Sequence, residues 1–231
     1  MKALRAASLV RNTGTNGDLF ADLQAPGPRV EVLGEMALLL RGFAVEVAPE
    51  LLAAVNAIAA AAPFRNMVTP GGQTMSVAMT NCGAAGWVSD RRGYRYQGTD
   101  PASGRPWPAM PAAFLSLAAR AAAEAGFGAF VPDACLINRY VPGNRLTLHQ
   151  DRNERDFSQP IVSVSLGLPA TFLFGGAERS DKALRFRLES GDVAVWGGAT
   201  RLVFHGIAPL AAGEHPLTGA CRVNLTFRRA L

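Results

Sequence analysis

Residues 161–176 read IVSVSLGLPATFLFGG, two short β-type runs that are separated by Pro169. Runs of the same kind, each bounded by turn residues, fill the chain from residue 134 onward: 135–141, 145–150, 183–189, 192–197, 201–207 and 221–228. Eight strands in about a hundred residues, without intervening helices, are typical of a sandwich or jelly roll. The sequence therefore predicts a double-stranded β-helix (jelly-roll) core over 134–229.

The N-terminal half carries two helical patterns. Residues 49–64, PELLAAVNAIAAAAPF, begin with Pro49 and remain Ala- and Leu-rich until Pro63, and a second Ala-rich helix is expected over about 111–126. Residues 29–47 suggest one or two strands. Residues 67–108 are rich in Gly, Pro, Thr and aromatic residues, which indicates short hairpins and loops rather than a layer of the core. We expect an α+β, mainly β fold with both helices packed on one sheet.

Length and composition fit one sizeable core. The chain has 231 residues, of which 49% are hydrophobic and 18% charged, so we expect a single domain over 18–231 after a flexible extension over 1–17. The extension lacks a sustained apolar segment, and no run of eighteen apolar residues occurs anywhere, so a secretory signal or a membrane helix is not expected.

The cysteines indicate the cellular compartment, and the net charge indicates the kind of partner. Cys82, Cys135 and Cys221 are widely spaced and form no CxxC pair, which favours reduced thiols in a cytoplasmic protein. The net charge is +5, and only two of the 23 basic residues are lysines. An arginine-rich surface suits a phosphate-bearing partner, although a genome that favours arginine codons would produce the same composition.

His149 and Asp151 stand two positions apart in RLTLHQDRNE, residues 145–154. In an extended strand both side chains leave the same face and can meet one ion. His205 lies in another expected strand, more than fifty residues later. Two imidazoles and one carboxylate can hold iron(II) on one face of its octahedron and leave the other positions open. A solvated histidine beside a turn aspartate would give the same pattern, so the motif alone is weak.

The last strand, CRVNLTFRR over 221–229, alternates between polar and apolar residues. Arg222, Asn224, Thr226 and Arg228 share one face. Buried cations need anionic partners, so two inward guanidinium groups would suit a five-carbon dicarboxylate. An edge strand with outward arginines is the alternative.

Several stretches together resemble one family: LTLHQD, FHGI, CRVNLTFR, PDACLINRYVPG and TPGGQTMSVAMTNCG. They are similar to the bacterial AlkB proteins, iron(II)- and 2-oxoglutarate-dependent dioxygenases that repair alkylated DNA and RNA, over roughly residues 18–230. The resemblance implies that iron(II) is bound by the catalytic residues His149, Asp151 and His205. It also implies that 2-oxoglutarate, with O2 as the second cosubstrate, is bound by Asn138, Tyr140, Arg222, Asn224 and Arg228.

The same resemblance implies a nucleotide-recognition lid over 68–97. Trp87 would stack on one face of a flipped base and His205 on the other. Basic and aromatic side chains interleave beside it, a pattern that suits a single strand, although a solvated hairpin has the same composition. The remaining substrate-binding residues implied are Tyr94, Arg95, Tyr96, Asn153 and Arg179.

Two positions depart from the family pattern. Asn153 stands where bacterial members have a second aspartate, and Gln73 stands where a tyrosine is expected. Because Asn153 removes a negative charge near the damaged base, the preference for cationic methylated bases is expected to be weaker.

The activity implied is oxidative dealkylation of N1-methyladenine and N3-methylcytosine in single-stranded DNA, with duplex DNA and RNA as further carriers, by a monomer. The alkyl carbon would be hydroxylated, with release of formaldehyde, succinate and CO2. Two other functions stay open: a nucleic-acid-binding protein without activity, and a jelly-roll dioxygenase that acts on protein or a small molecule.

Overall fold

The computed structural model describes residues 29–231, so the extension expected over 1–17 and the domain start at residue 18 lie outside the described residues. The strands are β1 Val30–Gly34, β2 Ala37–Leu40, β3 Arg65–Val68, β4 Thr74–Gly83, β5 Gly86–Asp90, β6 Gly93–Gln97, β7 Ala134–Tyr140, β8 Leu146–His149, β9 Ile161–Gly167, β10 Ala170–Phe174, β11 Leu184–Leu188, β12 Val193–Trp196, β13 His205–Ile207 and β14 Arg222–Arg228. The larger sheet has eight antiparallel strands in the order β1-β2-β12-β9-β14-β7-β4-β3. The smaller sheet has four in the order β11-β10-β13-β8, and β5 and β6 form a separate hairpin.

The two main sheets pack face to face, as the predicted jelly roll requires. Phe172 and Ile207 of the smaller sheet share one buried cluster with Met79, Tyr140 and Trp196 of the larger sheet. The predicted mainly β jelly-roll architecture is confirmed.

Both predicted helices are present and cover the outer face of the larger sheet. Helix α1 spans Ala48–Ala61 with proline in its first turn, and α2 spans Ala112–Glu124. Leu51 of α1 and Phe114 of α2 share a buried cluster with Leu225 and Phe227 of β14. Because alternate residues of a strand face opposite sides, the polar residues of β14 point into the space between the sheets.

The prediction of loops over 67–108 is wrong for β4, which is a full strand of the larger sheet. Cys82 of β4 lies opposite Cys135 of β7, and Val77 and Met79 are buried. The strand also contains polar residues, which suggested a loop. Thr80 and Asn81 are buried because their side chains bond to the backbone of Ala62 and of Trp87, respectively.

Strand β13 is shorter than the run predicted over 201–207, because residues 201–202 form a turn after a 3-10 helix over Gly198–Thr200 and residues 203–204 precede the strand. Within the part of the chain that the structure describes, no helix is long and apolar enough to cross a membrane. The three cysteines are free.

Candidate active site

His149, Asp151 and His205 converge at the open end of the space between the sheets. His149 lies directly opposite His205 in the β8–β13 pair, and their ring centroids are 4.4 Å apart. Asp151 follows β8, with one carboxylate oxygen 3.7 Å from Nε2 of His149 and the other 3.8 Å from Nε2 of His205. One potential ligand atom from each residue lies within 4.8 Å of the others. The predicted convergence of the three side chains is therefore present.

The backbone fixes the direction of both imidazole rings. Nδ1 of His149 lies 2.9 Å from the carbonyl oxygen of Thr147, and Nδ1 of His205 lies 3.1 Å from that of Val203. When Nδ1 carries the proton and donates a hydrogen bond to the carbonyl, the lone pair of Nε2 points toward Asp151. Burial and the neighbouring His149 lower the pKa of His205 to about 4, which keeps this ring neutral near pH 7.

Asp151 is ionised although it is largely enclosed. Burial opposes the charge, but the guanidinium of Arg228 and the two nearby histidines hold the pKa of Asp151 well below its usual range. Arg228 donates to one carboxylate oxygen of Asp151 from Nε at 2.9 Å and from Nη2 at 2.5 Å. The triad thus offers two imidazoles and one carboxylate, the donor set that suits iron(II).

A second layer of buried charges supports Asp151 and was missed in the sequence. Glu154 lies between two arginines, 3.2 Å from Arg201 and 3.3 Å from Arg228. Arg201 also donates to the backbone carbonyl of Asp151 at 2.8 Å. The hydroxyl of Tyr96 donates to Glu154 at 2.7 Å. The only sequence signal was the position of Glu154 and Arg201 within a few residues of the metal-ligand candidates.

Arg222 is a buried cation that lacks an acidic partner among the described residues. Only 1% of it is exposed; Nη2 donates to Ser165 at 2.9 Å, and the guanidinium lies over the ring of Tyr140 at 4.9 Å. Nε and Nη1 make no hydrogen bond within residues 29–231. Burial lowers the pKa of Arg222 but leaves it cationic near pH 7. Unpaired guanidinium donors in this position fit a ligand carboxylate, as 2-oxoglutarate would supply.

The side-chain amides of Asn138 and Asn224, beside Arg222, are held in place by hydrogen bonds. Asn138 donates to Asn224 at 3.1 Å, and Thr226 donates to the same oxygen at 2.9 Å. Asn224 in turn donates to Ser163 at 2.8 Å and to the carbonyl of Val164 at 3.0 Å. These bonds hold the floor of the site rigidly between β7, β9 and β14.

One cavity of about 870 Å³ joins these groups. All three predicted metal ligands and all five residues assigned to 2-oxoglutarate line it. Of the residues assigned to substrate, it is also lined by Trp87, Tyr94, Asn153 and Arg179. Such a volume is of the size that small-molecule sites have.

The β5–β6 hairpin supplies an aromatic wall for the cavity. The rings of Trp87 and Tyr94 stack at 5.5 Å with an angle of 13° between their planes. Nε1 of Trp87 donates to the side-chain oxygen of Asn153 at 3.1 Å. Arg179, on the opposite side, donates to the backbone of Leu148 at 2.7 Å and lies over the ring of Phe204.

Two residues assigned to substrate do not line this cavity. Arg95 pairs with Asp90 at 2.8 Å within the hairpin, which holds the pKa of Asp90 well below its usual range. Tyr96 is bonded to Glu154, and burial raises its pKa well above the ordinary value. In this structure both side chains brace the hairpin, and a role toward substrate stays a prediction.

The chain matches the family model of the 2OG-Fe(II) oxygenase superfamily over residues 37–228. It is 58% identical, over 213 residues that cover 92% of this chain and 97% of the relative, to the alpha-ketoglutarate-dependent dioxygenase AlkB of Escherichia coli (strain K12). It is 37% identical over 161 residues, 58% of this chain and 35% of the relative, to the DNA N(6)-methyladenine demethylase ALKBH1C of Arabidopsis thaliana.

Among solved structures, OsALKBH1 is similar, with a TM-score of 0.76 and 29% identity over 87% of this chain and all of that one. The triad, the unpaired Arg222 and the family match agree on the same chemistry. The chain belongs to the 2OG-Fe(II) oxygenase superfamily and, within it, to the AlkB dioxygenases, which use iron(II), 2-oxoglutarate and O2.

Proposed function

We propose that this enzyme removes alkyl groups from nitrogen atoms of nucleic-acid bases, with N1-methyladenine and N3-methylcytosine in single-stranded DNA as its reference substrates and RNA as a further carrier. The observation that carries the proposal is a shared cavity: the stacked pair of Trp87 and Tyr94 forms one wall of the space that holds the His149, Asp151 and His205 triad. A flat aromatic wall facing an oxidising centre suits a planar base.

Iron(II), held by His149, Asp151 and His205, would couple the conversion of 2-oxoglutarate and O2 into succinate and CO2 to hydroxylation of the alkyl carbon. Arg222 and Tyr140 would hold the far carboxylate of 2-oxoglutarate, because their polar groups are buried side by side on β14 and β7. The hydroxylated alkyl group then leaves the nitrogen as formaldehyde when it was a methyl group.

The protein must bring the base out of its stack, because a carbon inside a duplex cannot reach the triad. Trp87 would stack on one face of the extruded base and His205 on the other. Arg179 and the cations Arg145 and Arg152, which also line the cavity, would contact phosphates of the strand. Residues 68–97 would act as the recognition lid, and their β5–β6 hairpin is tied to the buried charges through Tyr96.

Three further features belong to the same proposal. We infer that the enzyme works as a monomer, since one chain supplies every group named above. We propose a cytoplasmic location, because its three cysteines are free. The alternative of an inactive binding protein is disfavoured by the complete triad.

The direct test is release of formaldehyde from a single-stranded oligonucleotide that carries one N1-methyladenine or N3-methylcytosine. Asp151→Ala should abolish release, whereas Asp156→Ala, an exposed acid five positions later, should retain it. Trp87→Ala should raise KM for the oligonucleotide far more than KM for 2-oxoglutarate. Turnover of 2-oxoglutarate without any loss of the methyl group would refute the nucleic-acid proposal.

A further inference from the structure

The amide of Asn153 is held in one orientation. Its oxygen lies 3.1 Å from Nε1 of Trp87. An indole N–H can donate but not accept, so the atom that faces it must be the amide oxygen and not the amide nitrogen. The Nδ2 group of Asn153 is therefore turned away from Trp87. It donates to no protein group within residues 29–231, and its two hydrogens are available to a ligand.

Asn153 lies close to the candidate metal ligands. It lies two positions after the metal-ligand candidate Asp151 and lines the same cavity as the triad. A base whose alkylated nitrogen faces the triad presents the exocyclic group beside that nitrogen to the residues next to Asp151. Nδ2 of Asn153 would then meet this exocyclic group as a hydrogen-bond donor.

The charge of the cavity also favours a neutral base over a cationic one. Asp151 is the only carboxylate that lines it among the described residues, and its charge is taken up by Arg228 and by the metal it would hold. Five arginines line the same space: Arg145, Arg152, Arg179, Arg222 and Arg228. A cationic base would therefore meet no free negative side chain and would lie near positive ones.

From these two observations we propose that Asn153 selects for neutral alkylated bases that carry a carbonyl oxygen where N1-methyladenine and N3-methylcytosine carry N6 and N4, namely O6 of N1-methylguanine and O4 of N3-methylthymine. Cationic bases with an amino group at that position, N1-methyladenine and N3-methylcytosine, are accepted less well than they would be by a carboxylate. A carbonyl accepts from Nδ2, whereas an amino group leaves two donors facing each other. The inference rests on the proposed function and names the substrate class for it.

The test uses four single-stranded oligonucleotides that differ only in the methylated base. Two ratios of kcat/KM are measured: N1-methylguanine to N1-methyladenine and N3-methylthymine to N3-methylcytosine. Since each ratio compares bases of similar size on one variant, a general loss of activity cancels. The same ratios are measured as Kd by fluorescence anisotropy, with iron and 2-oxoglutarate present and O2 excluded, so that binding is read without turnover.

Asn153→Asp should lower both ratios by about tenfold, because a carboxylate accepts from the amino group and attracts the cation. Trp87→Phe keeps an aromatic ring but removes the N–H that orients the amide. The amide can then turn its oxygen to the base, so both ratios should fall part of the way.

Ratios that are equal in the unaltered enzyme and in Asn153→Asp would overturn the selection role of Asn153 while leaving the proposed function intact. A shift in Asn153→Asp without any shift in Trp87→Phe would overturn the orientation argument. If none of the four oligonucleotides releases formaldehyde while 2-oxoglutarate is consumed, the proposed function fails and this inference fails with it.

Discussion

Arg228 donates two hydrogen bonds to a single carboxylate oxygen of Asp151, Oδ2, at 2.9 and 2.5 Å. The other oxygen, Oδ1, accepts no hydrogen bond within the described residues and lies 3.7 Å from Nε2 of His149. Arg228 thereby sets the rotation of the carboxylate and leaves Oδ1 as the oxygen best placed for a metal. In this structure Arg228 supports the metal site, besides any contact it makes with 2-oxoglutarate.

Replacing Arg228 with Met should weaken metal binding by about 10- to 100-fold, the range found when a group that orients a ligand is removed. The affinity is measured by titrating the metal-free protein with Mn(II) or with iron(II) under anaerobic conditions. Arg185→Met, an exposed arginine on β11, is the matched control and should leave the affinity unchanged. Equal metal affinity in the two variants would show that Arg228 does not position Asp151.

Replacing Arg222 with Met should remove the stabilisation that 2-oxoglutarate gives to the protein. The ligand-free variant should melt no lower than the unaltered protein, because a buried cation without an acidic partner is costly and Met fills similar space. Differential scanning calorimetry with and without 2-oxoglutarate measures both effects. Arg222→Lys should give intermediate affinity, since it keeps the charge but loses the fork of donors. Full stabilisation of the Met variant by 2-oxoglutarate would contradict the assignment.

The stability of the metal-free protein should depend on His205 between about pH 6.5 and pH 4. Its pKa is lowered from 6.5 to about 4 in the folded state, mainly by burial. The unfolded chain therefore takes up a proton first as the pH falls, and stability that is complete above pH 6.5 is lost toward pH 4. The slope should reach at most about 1.4 kcal/mol per pH unit.

The His205→Asn variant provides the control for that slope. Urea unfolding of both proteins at a series of pH values should show a flatter profile for the variant across this window. Asp90, Asp100, Asp151 and Asp156 also have lowered pKa values, and their contributions are lost from about pH 5 downward, so the two profiles are compared above pH 5. Parallel profiles for the two proteins would exclude His205 as the source.

Replacing Tyr96 with Phe should destabilise the protein by about 1.5 to 3 kcal/mol, the range for a hydrogen bond to a charged group. Because Tyr96 ties the hairpin to Glu154, KM for the oligonucleotide should rise more than KM for 2-oxoglutarate. Tyr94→Phe, two positions away, should change stability by less than about 0.5 kcal/mol, since Tyr94 is exposed and its hydroxyl makes no hydrogen bond within residues 29–231. Equal stabilities of the two variants would show that the Tyr96–Glu154 bond has no anchoring role.

Much of the fold could be predicted from strand periodicity, whereas the candidate metal site also needed the resemblance to the AlkB proteins. The spacing of His149 and Asp151 predicted that their side chains meet, and they do, although β8 ends at His149 and Asp151 follows the strand. The alternation in β14 separated its polar face from Leu225 and Phe227. The pairing of His205 with His149 needed the resemblance, since no local pattern brings two distant strands into register.

The sequence did not predict which polar residues are buried, because their burial depends on hydrogen bonds to distant groups. The Gly, Pro, Thr and aromatic content of 67–108 suggested loops, yet Thr80 and Asn81 occupy a core strand because their side chains bond to the backbone. Glu154 and Arg201 have no periodic signature, and they form a buried pair only because two loops meet beneath Asp151. Tyr96 lies two positions after Tyr94 on the same strand, which suggested that both contact substrate. Its hydroxyl is instead bonded to Glu154, and its side chain does not line the cavity.

The central claim is tested most directly by an anaerobic titration of the metal-free protein with iron(II) and 2-oxoglutarate, followed through the visible charge-transfer absorption of a keto acid chelated to iron. We expect one iron per chain in the unaltered protein, no absorption band in Asp151→Ala, and a band that requires far more 2-oxoglutarate in Arg222→Met. A band of undiminished intensity and affinity in Asp151→Ala would contradict the claim that His149, Asp151 and His205 hold the iron.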